Sequence, residues 1–348
     1  MIRVLIVEDS HVIQQWLAHV LEKDPDIKVI GCAENGEEAI QMVAKEKPDV
    51  VTMDVQLPKF DGIETTRRIM EVNPVPIVVV SSLWSTAEPS ITFRAIDAGA
   101  LAFVQTPRAG TSAECEAEAR NLVQTIKTMA EVRVVRRWRR TEAPAVRPAK
   151  RQAKFPINRD VQVVAIGIST GGPPVLRKLL HMLPDDFPAP ILIVQHIVAG
   201  FLSGLVDWLN DAGCSAAIAE HGQKPLPGVA YLAPDGRHMG IDAYGVIVLS
   251  DAPPENGMRP AVSYLFRSVA ESCGARAVGI LLTGMGRDGA AELKMMREAG
   301  AVTFAQDRDS SVVHGMPGEA IQIGAAVHVL PPEKIAAMLA EMVRKKLP

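Results

Sequence analysis

No apolar run in this chain of 348 residues reaches the ~20 that a membrane-crossing helix needs. The N-terminus, Met1-Ile2-Arg3-Val4-Leu5-Ile6-Val7, is too short and too β-branched for a signal peptide, and Glu8 and Asp9 interrupt it at once. The expectation is a cytoplasmic protein that is not an integral membrane protein. Aromatic residues make up only 4%, so any core must be aliphatic. The four cysteines, Cys32, Cys115, Cys214 and Cys273, form no CxxC pair, which argues against both a disulfide framework and a zinc site. What is present is 48% hydrophobic and 22% charged sequence, enough for two domains with real cores.

Charge is unevenly spread. Residues 1–125 hold 11 Lys+Arg against 19 Asp+Glu (−8), residues 126–157 hold 10 against 2 (+8), and residues 158–348 hold 16 against 19 (−3). An acidic first domain (1–125), a basic linker (126–157) and a near-neutral second domain (158–348) follow. The linker includes Arg133, Arg136, Arg137, Arg139 and Arg140, then the proline-bearing stretch 142–150.

Strand-like and helix-like periods alternate in both domains. In the first, the apolar runs predict strands at 2–7, 27–32, 49–53, 76–80 and 101–104. Ser10 is expected to cap a helix whose apolar face holds Val12, Ile13, Trp16, Leu17, Val20 and Leu21. A final helix is predicted over 112–140. In the second domain strands are predicted at 161–168, 190–195, 229–233, 246–249, 277–283, 301–305 and 326–329. Helices are expected at 173–183, 200–212, 260–273, 288–299 and 333–346. The fold class is α/β, with two doubly wound parallel-sheet domains, flavodoxin-like first and Rossmann-like second.

Glu8 and Asp9 end the first strand and Asp54 ends the third. In a doubly wound sheet these ends are neighbours. Three crowded carboxylates repel unless a cation sits among them, and hard oxygens in an open site suit Mg2+. Such a site makes Asp54 a phosphoryl acceptor. Solvated loop acids are the plainer alternative. Together, Glu8-Asp9-Ser10, Met53-Asp54-Val55-Gln56-Leu57-Pro58, Asp61-Gly62 and Val79-Val80-Ser81-Ser82 resemble a two-component receiver domain over about 1–120. The resemblance implies phosphorylation of Asp54 by a sensor histidine kinase, and Mg2+ on Glu8, Asp9, Asp54 and the Gln56 carbonyl. It implies Ser81 and Phe103 as switch residues. One position departs: Thr106 stands before Pro107 where the family has a lysine, which weakens the expected coupling of phosphate to conformational change. Arg108 is the nearest cation to compensate.

In the second domain Val163-Val164-Ala165-Ile166-Gly167-Ile168 ends in Ser169, followed by Gly171, Gly172, Pro173 and Pro174. A buried strand delivers a hydroxyl to the sheet edge and then turns into a helix. A serine in this place can also line a phosphate or nucleotide site. Two further strands end in His196 and in Gly284-Met285-Gly286-Arg287-Asp288-Gly289. Hydroxyl, imidazole and carboxylate at one sheet edge are what nucleophilic acyl transfer requires. Backbone N–H groups of the 284–286 turn, or those of Gly171 and Gly172, can meet an oxyanion. His181, His221 and His238 follow no buried strand and read as surface or core groups, whereas His314 sits in a loop that can border the site.

The stretches 166–172, Gln195-His196, 283–289, Ala305-Gln306-Asp307 and Gly315-Met316-Pro317 resemble the chemotaxis protein-glutamate methylesterase family over about 160–345. That resemblance implies a receiver-controlled hydrolase of glutamate γ-methyl esters on methylated chemoreceptor helices, often also a glutamine deamidase. It maps the triad onto Ser169, His196 and Asp288, and the oxyanion donor onto Met285. It also implies that the receiver covers the esterase cleft until phosphorylated, and that the esterase step needs no cofactor. A non-catalytic receiver-linked adaptor is the alternative. A DNA-binding regulator ranks last, because the output region lacks a helix-turn-helix pattern and no nucleic-acid partner is expected.

Overall fold

The runs Val50–Met53 and Val163–Ile168 are buried along their whole length, as strands of a parallel sheet covered on both faces must be. The structure, a computed structural model, describes residues 1–81, 89–132, 134 and 161–343, with the backbone alone at 89–92. The chain divides into two units, Met1–Lys154 and Phe155–Pro348.

The first unit runs β1 (Ile2–Val7), α1 (His11–Leu21), β2 (Ile27–Ala33), α2 (Gly36–Glu46), β3 (Val50–Met53), α3 (Gly62–Val72), β4 (Ile77–Ser81), α4 (Pro89–Ala98), β5 (Ala102–Gln105) and α5 (Ala113–Ala130). The sheet order is β2-β1-β3-β4-β5 and every pairing is parallel. Helices α1 and α5 touch one another, while α3 touches α2 and α4, so the sheet is covered on both faces. Leu5, Val7, Val51, Met53, Ile69, Ile77 and Val79 form its aliphatic centre.

Three expectations fail here for local reasons. Ser10 stands at the N-cap of α1 but its side chain makes no capping bond. Its own N–H instead donates to Glu8 Oε1 (3.1 Å). Val12 does not join the apolar face and is 77% exposed. The inward place belongs to Gln14, whose Nε2 donates to the Glu8 carbonyl at 2.6 Å. Helix α5 stops at Ala130, not at 140. Its buried positions are Leu122, Ile126 and Met129, and the sequence places arginine, not an apolar residue, next in that series. The rest of that helix prediction and most of the basic linker lie outside the described residues.

The second unit runs β6 (Val163–Ile168), α6 (Gly172–His181), β7 (Ile191–Gln195), α7 (Leu202–Asp211), β8 (Ala216–Ile218), β9 (Ala230–Leu232), β10 (His238–Ile241), β11 (Ile247–Ser250), α8 (Val262–Cys273), β12 (Ala277–Leu281), α9 (Ala290–Glu298), β13 (Val302–Gln306), α10 (Met316–Gln322), β14 (His328–Leu330) and α11 (Pro332–Met342). Seven strands form a parallel sheet in the order β14-β13-β12-β6-β7-β9-β8. The run predicted as a strand at 246–249 is not in that sheet. It forms the antiparallel hairpin β10-β11. Strands β8 and β10 and helix α10 were not anticipated. Helix α6 packs with α11 on one side of the sheet; on the other, α9 packs with both α8 and α10. Strand order reverses between β12 and β6, so the crevice beyond their carboxyl ends is where an open α/β sheet takes a ligand.

Candidate functional site

Ser169 is the first residue past β6, at that reversal. Its N–H donates to the Thr283 carbonyl (3.0 Å), which ties it to the end of β12. Its carbonyl accepts from Gly172 N (2.9 Å) and from Gln195 Nε2 (3.0 Å). The turn requires glycine: Gly171 caps α6 with φ +73°, and a Cβ there would lie 2.5 Å from Val312 Cβ. Ser169 is buried, and its hydroxyl makes no hydrogen bond among the described residues.

His196 is the first residue past β7, the neighbour of β6. Its N–H donates to the Ile168 carbonyl (2.9 Å), so Ser169 and His196 emerge from adjacent, paired strand ends. The imidazole is 9% exposed and the Asp288 carboxylate 5%. Nε2 lies 3.0 Å from Asp288 Oδ2, with the oxygen off the axis of the ring N–H. Such bonds often align only when substrate is bound. Nδ1 is buried and has no partner among the described residues.

Asp288 is held from several sides. Oδ2 also accepts from Val262 N (2.7 Å), and Oδ1 accepts from Ser263 N (3.1 Å), Ser263 Oγ (2.6 Å) and Asn256 Nδ2 (3.1 Å). Val262 and Ser263 open α8, so the carboxylate also meets the positive end of a helix. Burial alone would push the Asp288 carboxyl up, but contact with His196 and Ser263 overcomes it and holds the group down at about 2. Asn256 and Ser263 were not singled out from sequence. The signal for the first was present, since Asn256-Gly257 is a hairpin-turn dipeptide.

The turn after β12 passes against the serine. A Cβ on Gly284 would sit 2.7 Å from Ser169 Cβ, so only glycine permits this approach. Gly284 N donates to Val313 O (2.9 Å), and Gly284 O accepts from Gly315 N and Met316 N. The Met285 N–H makes no hydrogen bond among the described residues. Thr283 Oγ1 donates to Thr170 O (3.0 Å), which fixes the two turns together. His314 pairs through its backbone with Gly284, so its loop borders this turn, and burial pushes its imidazole pKa down. His238 is fully buried, held by Pro253 O and Ala261 N. His221 is likewise structural, with Nδ1 accepting from Leu249 N (3.1 Å).

In the first unit, carboxylate oxygens of Glu8, Asp9 and Asp54 lie within 4.8 Å of one another. Burial, then repulsion from Asp54, pushes the Glu8 carboxyl up to about 7. Burial also raises Asp54, against the Val55 and Gln56 amides and the Ser81 hydroxyl that bond to it. Gln56 lines a groove of about 470 Å³ with Asp9, Asp61 and Arg94. Phe103 meets Phe93 edge to face at 6.1 Å. Thr106 donates its N–H to Ser81 O (3.0 Å) and lines a different groove with Trp16, Pro107 and Arg108. Arg108 is already committed: its guanidinium bonds Glu118 (2.9 Å) and Glu114 (3.2 Å).

Comparison with known proteins divides the chain at the same place. Residues 164–339 match the CheB methylesterase family and residues 4–111 the response regulator receiver domain. A protein-glutamate methylesterase/protein-glutamine glutaminase 1 from Syntrophus aciditrophicus is 52% identical over 98% of each chain. A protein of the same description from Nitrosospira multiformis is 51% identical over 99% of this chain and 98% of its own. The crystal structure of the Thermotoga maritima CheB methylesterase catalytic domain is 37% identical and covers 53% of this chain and 99% of its own, with a TM-score of 0.51. With two matched domains and half its residues shared with full-length relatives, the chain belongs to the protein-glutamate methylesterase family, a methylesterase domain behind a response-regulator receiver.

Proposed function

We propose that this protein demethylates chemoreceptors by hydrolysing glutamate γ-methyl esters, and that it also deamidates glutamine, with Ser169, His196 and Asp288 as the catalytic set. The carrying observation is the 3.0 Å approach of His196 Nε2 to Asp288 Oδ2, with Ser169 on the adjacent strand end. Because Nε2 faces the aspartate, the neutral imidazole keeps its proton there and leaves Nδ1 as the base. Ser169 Oγ attacks the ester carbonyl and its proton passes to His196. The Met285 N–H, free of other acceptors, meets the oxyanion. Collapse expels methanol, which takes the proton from His196. Water then attacks the glutamyl ester on Ser169 with His196 again as base, releasing the glutamate side chain and restoring the serine. With glutamine as substrate, ammonia leaves in place of methanol.

The receiver, proposed to span 1–125 with a linker over 126–157 and the catalytic domain over 158–348, supplies control through phosphorylation of Asp54 by a sensor histidine kinase. The acidic cluster fits Mg2+: Glu8 and Asp54, both raised, packed with Asp9 within 4.8 Å, are the pattern a dication relieves. Glu8, Asp9, Asp54 and the Gln56 carbonyl would hold it, and its charge would offset that of the incoming phosphoryl group. Ser81, bonded to Asp54, and Phe103 are the proposed switch pair. The work is cytoplasmic, and no helix among the described residues is long and apolar enough to cross a membrane. The adaptor alternative is not favoured, since the full-length relatives carry enzyme names. The test is methanol release from methylated receptor membranes: wild type releases it, Ser169→Ala does not, and equal release by both would refute the reading.

A further inference from the structure

Between β11 and α8 the chain reads Glu255-Asn256-Gly257-Met258. Glu255 and Met258 exchange backbone hydrogen bonds (3.0 and 2.8 Å). Asn256 and Gly257 both have left-handed φ, +51° and +76°. This is the two-residue turn that Asn-Gly favours, and it holds a non-glycine residue in a conformation few side chains accept. The turn aims the Asn256 amide at Asp288, with Nδ2 3.1 Å from Oδ1 and 3.2 Å from Ser263 Oγ.

We propose that Asn256 is a positioning residue for ester hydrolysis: it pins Asp288 Oδ1 so that Oδ2 stays turned to His196. This rests on the reading of Ser169, His196 and Asp288 as the catalytic set. The carboxylate could otherwise rotate about its Cβ–Cγ bond and carry Oδ2 away from the imidazole. The Val262 and Ser263 amides hold Asp288 as they would any acid that caps α8. The Ser263 hydroxyl is a divided donor. It lies 2.6 Å from Asp288 Oδ1 and 2.7 Å from Glu292 Oε2, and its single proton serves one carboxylate at a time. Asn256 has two amide hydrogens, one for Asp288 Oδ1 and one for Ser263 Oγ, and no carboxylate competes for them among the described contacts. It is the side-chain donor that remains on Oδ1, beside the Ser263 N–H, when the Ser263 hydroxyl turns to Glu292. It also comes from a turn outside α8, so it fixes the carboxylate along a second direction.

The experiment measures kcat and KM for methanol release by the full-length protein, wild type against Asn256→Gly, Asn256→Asp and Asp288→Asn. Glycine and aspartate both suit this turn, so the backbone survives either change. Loss of a hydrogen bond to a charged group should lower kcat of Asn256→Gly about tenfold with KM nearly unchanged. Asn256→Asp sets a carboxylate against a carboxylate and should lose at least as much. A side chain that served only the turn would leave Asn256→Asp at wild-type turnover, and that result overturns the proposal. So does a rise in KM at constant kcat. If Asp288→Asn is crippled while Asn256→Gly is not, the catalytic set stands and Asn256 has no part in it. If Asp288→Asn turns over normally, the catalytic reading falls and the positioning role with it.

Discussion

At the carboxyl edge of the first sheet three carboxylates face one another with too little positive charge. Glu8 is pushed up to about 7, and Asp54 is raised as well. At the same edge of the second sheet a single carboxylate, Asp288, is surrounded by donors and held down at about 2. The two sheets share a construction, apolar parallel strands that end in polar residues. They differ in whether the charge at the edge is satisfied from within. The second site is complete in its own side chains, because α8 and the Asn256 turn supply the donors. The first awaits charge from outside, and the lysine its family places at residue 106 is absent. Electrostatics, more than topology, decides which edge is a self-contained catalyst and which is a receiver of signals.

The largest test strikes the self-contained site. Ser169→Ala and His196→Ala should each cut methanol release by about a thousandfold or more without unfolding the protein, since both side chains stand at the crevice and not in the core. Retained turnover in either purified variant would break the comparison at once.

A smaller effect is expected where the first site lacks charge. Thr106→Lys adds a resident cation, and a charge-assisted bond to a phosphoryl group is worth about 1.5–3 kcal/mol. Activation of the esterase by a small phosphodonor should therefore rise roughly ten- to a hundredfold, while activity without donor stays as it was. Arg108 does not fill the gap, because Glu114 and Glu118 hold it. If the wild type already responds as strongly as Thr106→Lys, the first site is better supplied than its side chains suggest.

The smallest effect concerns stability. Asp288 ionises near 2 in the fold against the usual 3.8, so its charge stabilises the folded state fully above about pH 4. That contribution, about 2 kcal/mol, is lost as pH falls from about 4 to 2. Urea midpoints at pH 5 and pH 2.5 should fall further for wild type than for Asp288→Asn. Equal falls would mean that the second edge is not held by its donors.

Much of this was legible in the chain. The strands that matter are short apolar runs rich in β-branched residues; Asp54, Ser169 and His196 stand directly after theirs, and Asp288 follows β12 after a glycine-rich turn. Parallel pairing then brings their ends together without any local signal. What could not be read depended on contacts between distant segments. Ser10 looked like a cap because its type fits, yet the Glu8 carboxylate takes its N–H. Strand β8 is three half-exposed residues at the sheet edge, too short and too wet to show a period. Helix α10 opens with Gly315-Met316-Pro317-Gly318, which reads as a loop until the Pro317 ring is placed in the first turn. The Asn256 turn was readable as a turn, but not as a hand on Asp288, which lies 32 residues further along the chain.

The central claim is that one edge needs an external cation and the other does not. It is tested most directly by following both reactions of the full-length protein with Mg2+ and with EDTA. Asp54 labelling from a small phosphodonor should disappear in EDTA. Methanol release from methylated receptor membranes, measured without phosphodonor, should stay within twofold. Hydrolysis that falls together with phosphorylation, or Asp54 that labels without metal, would contradict the account.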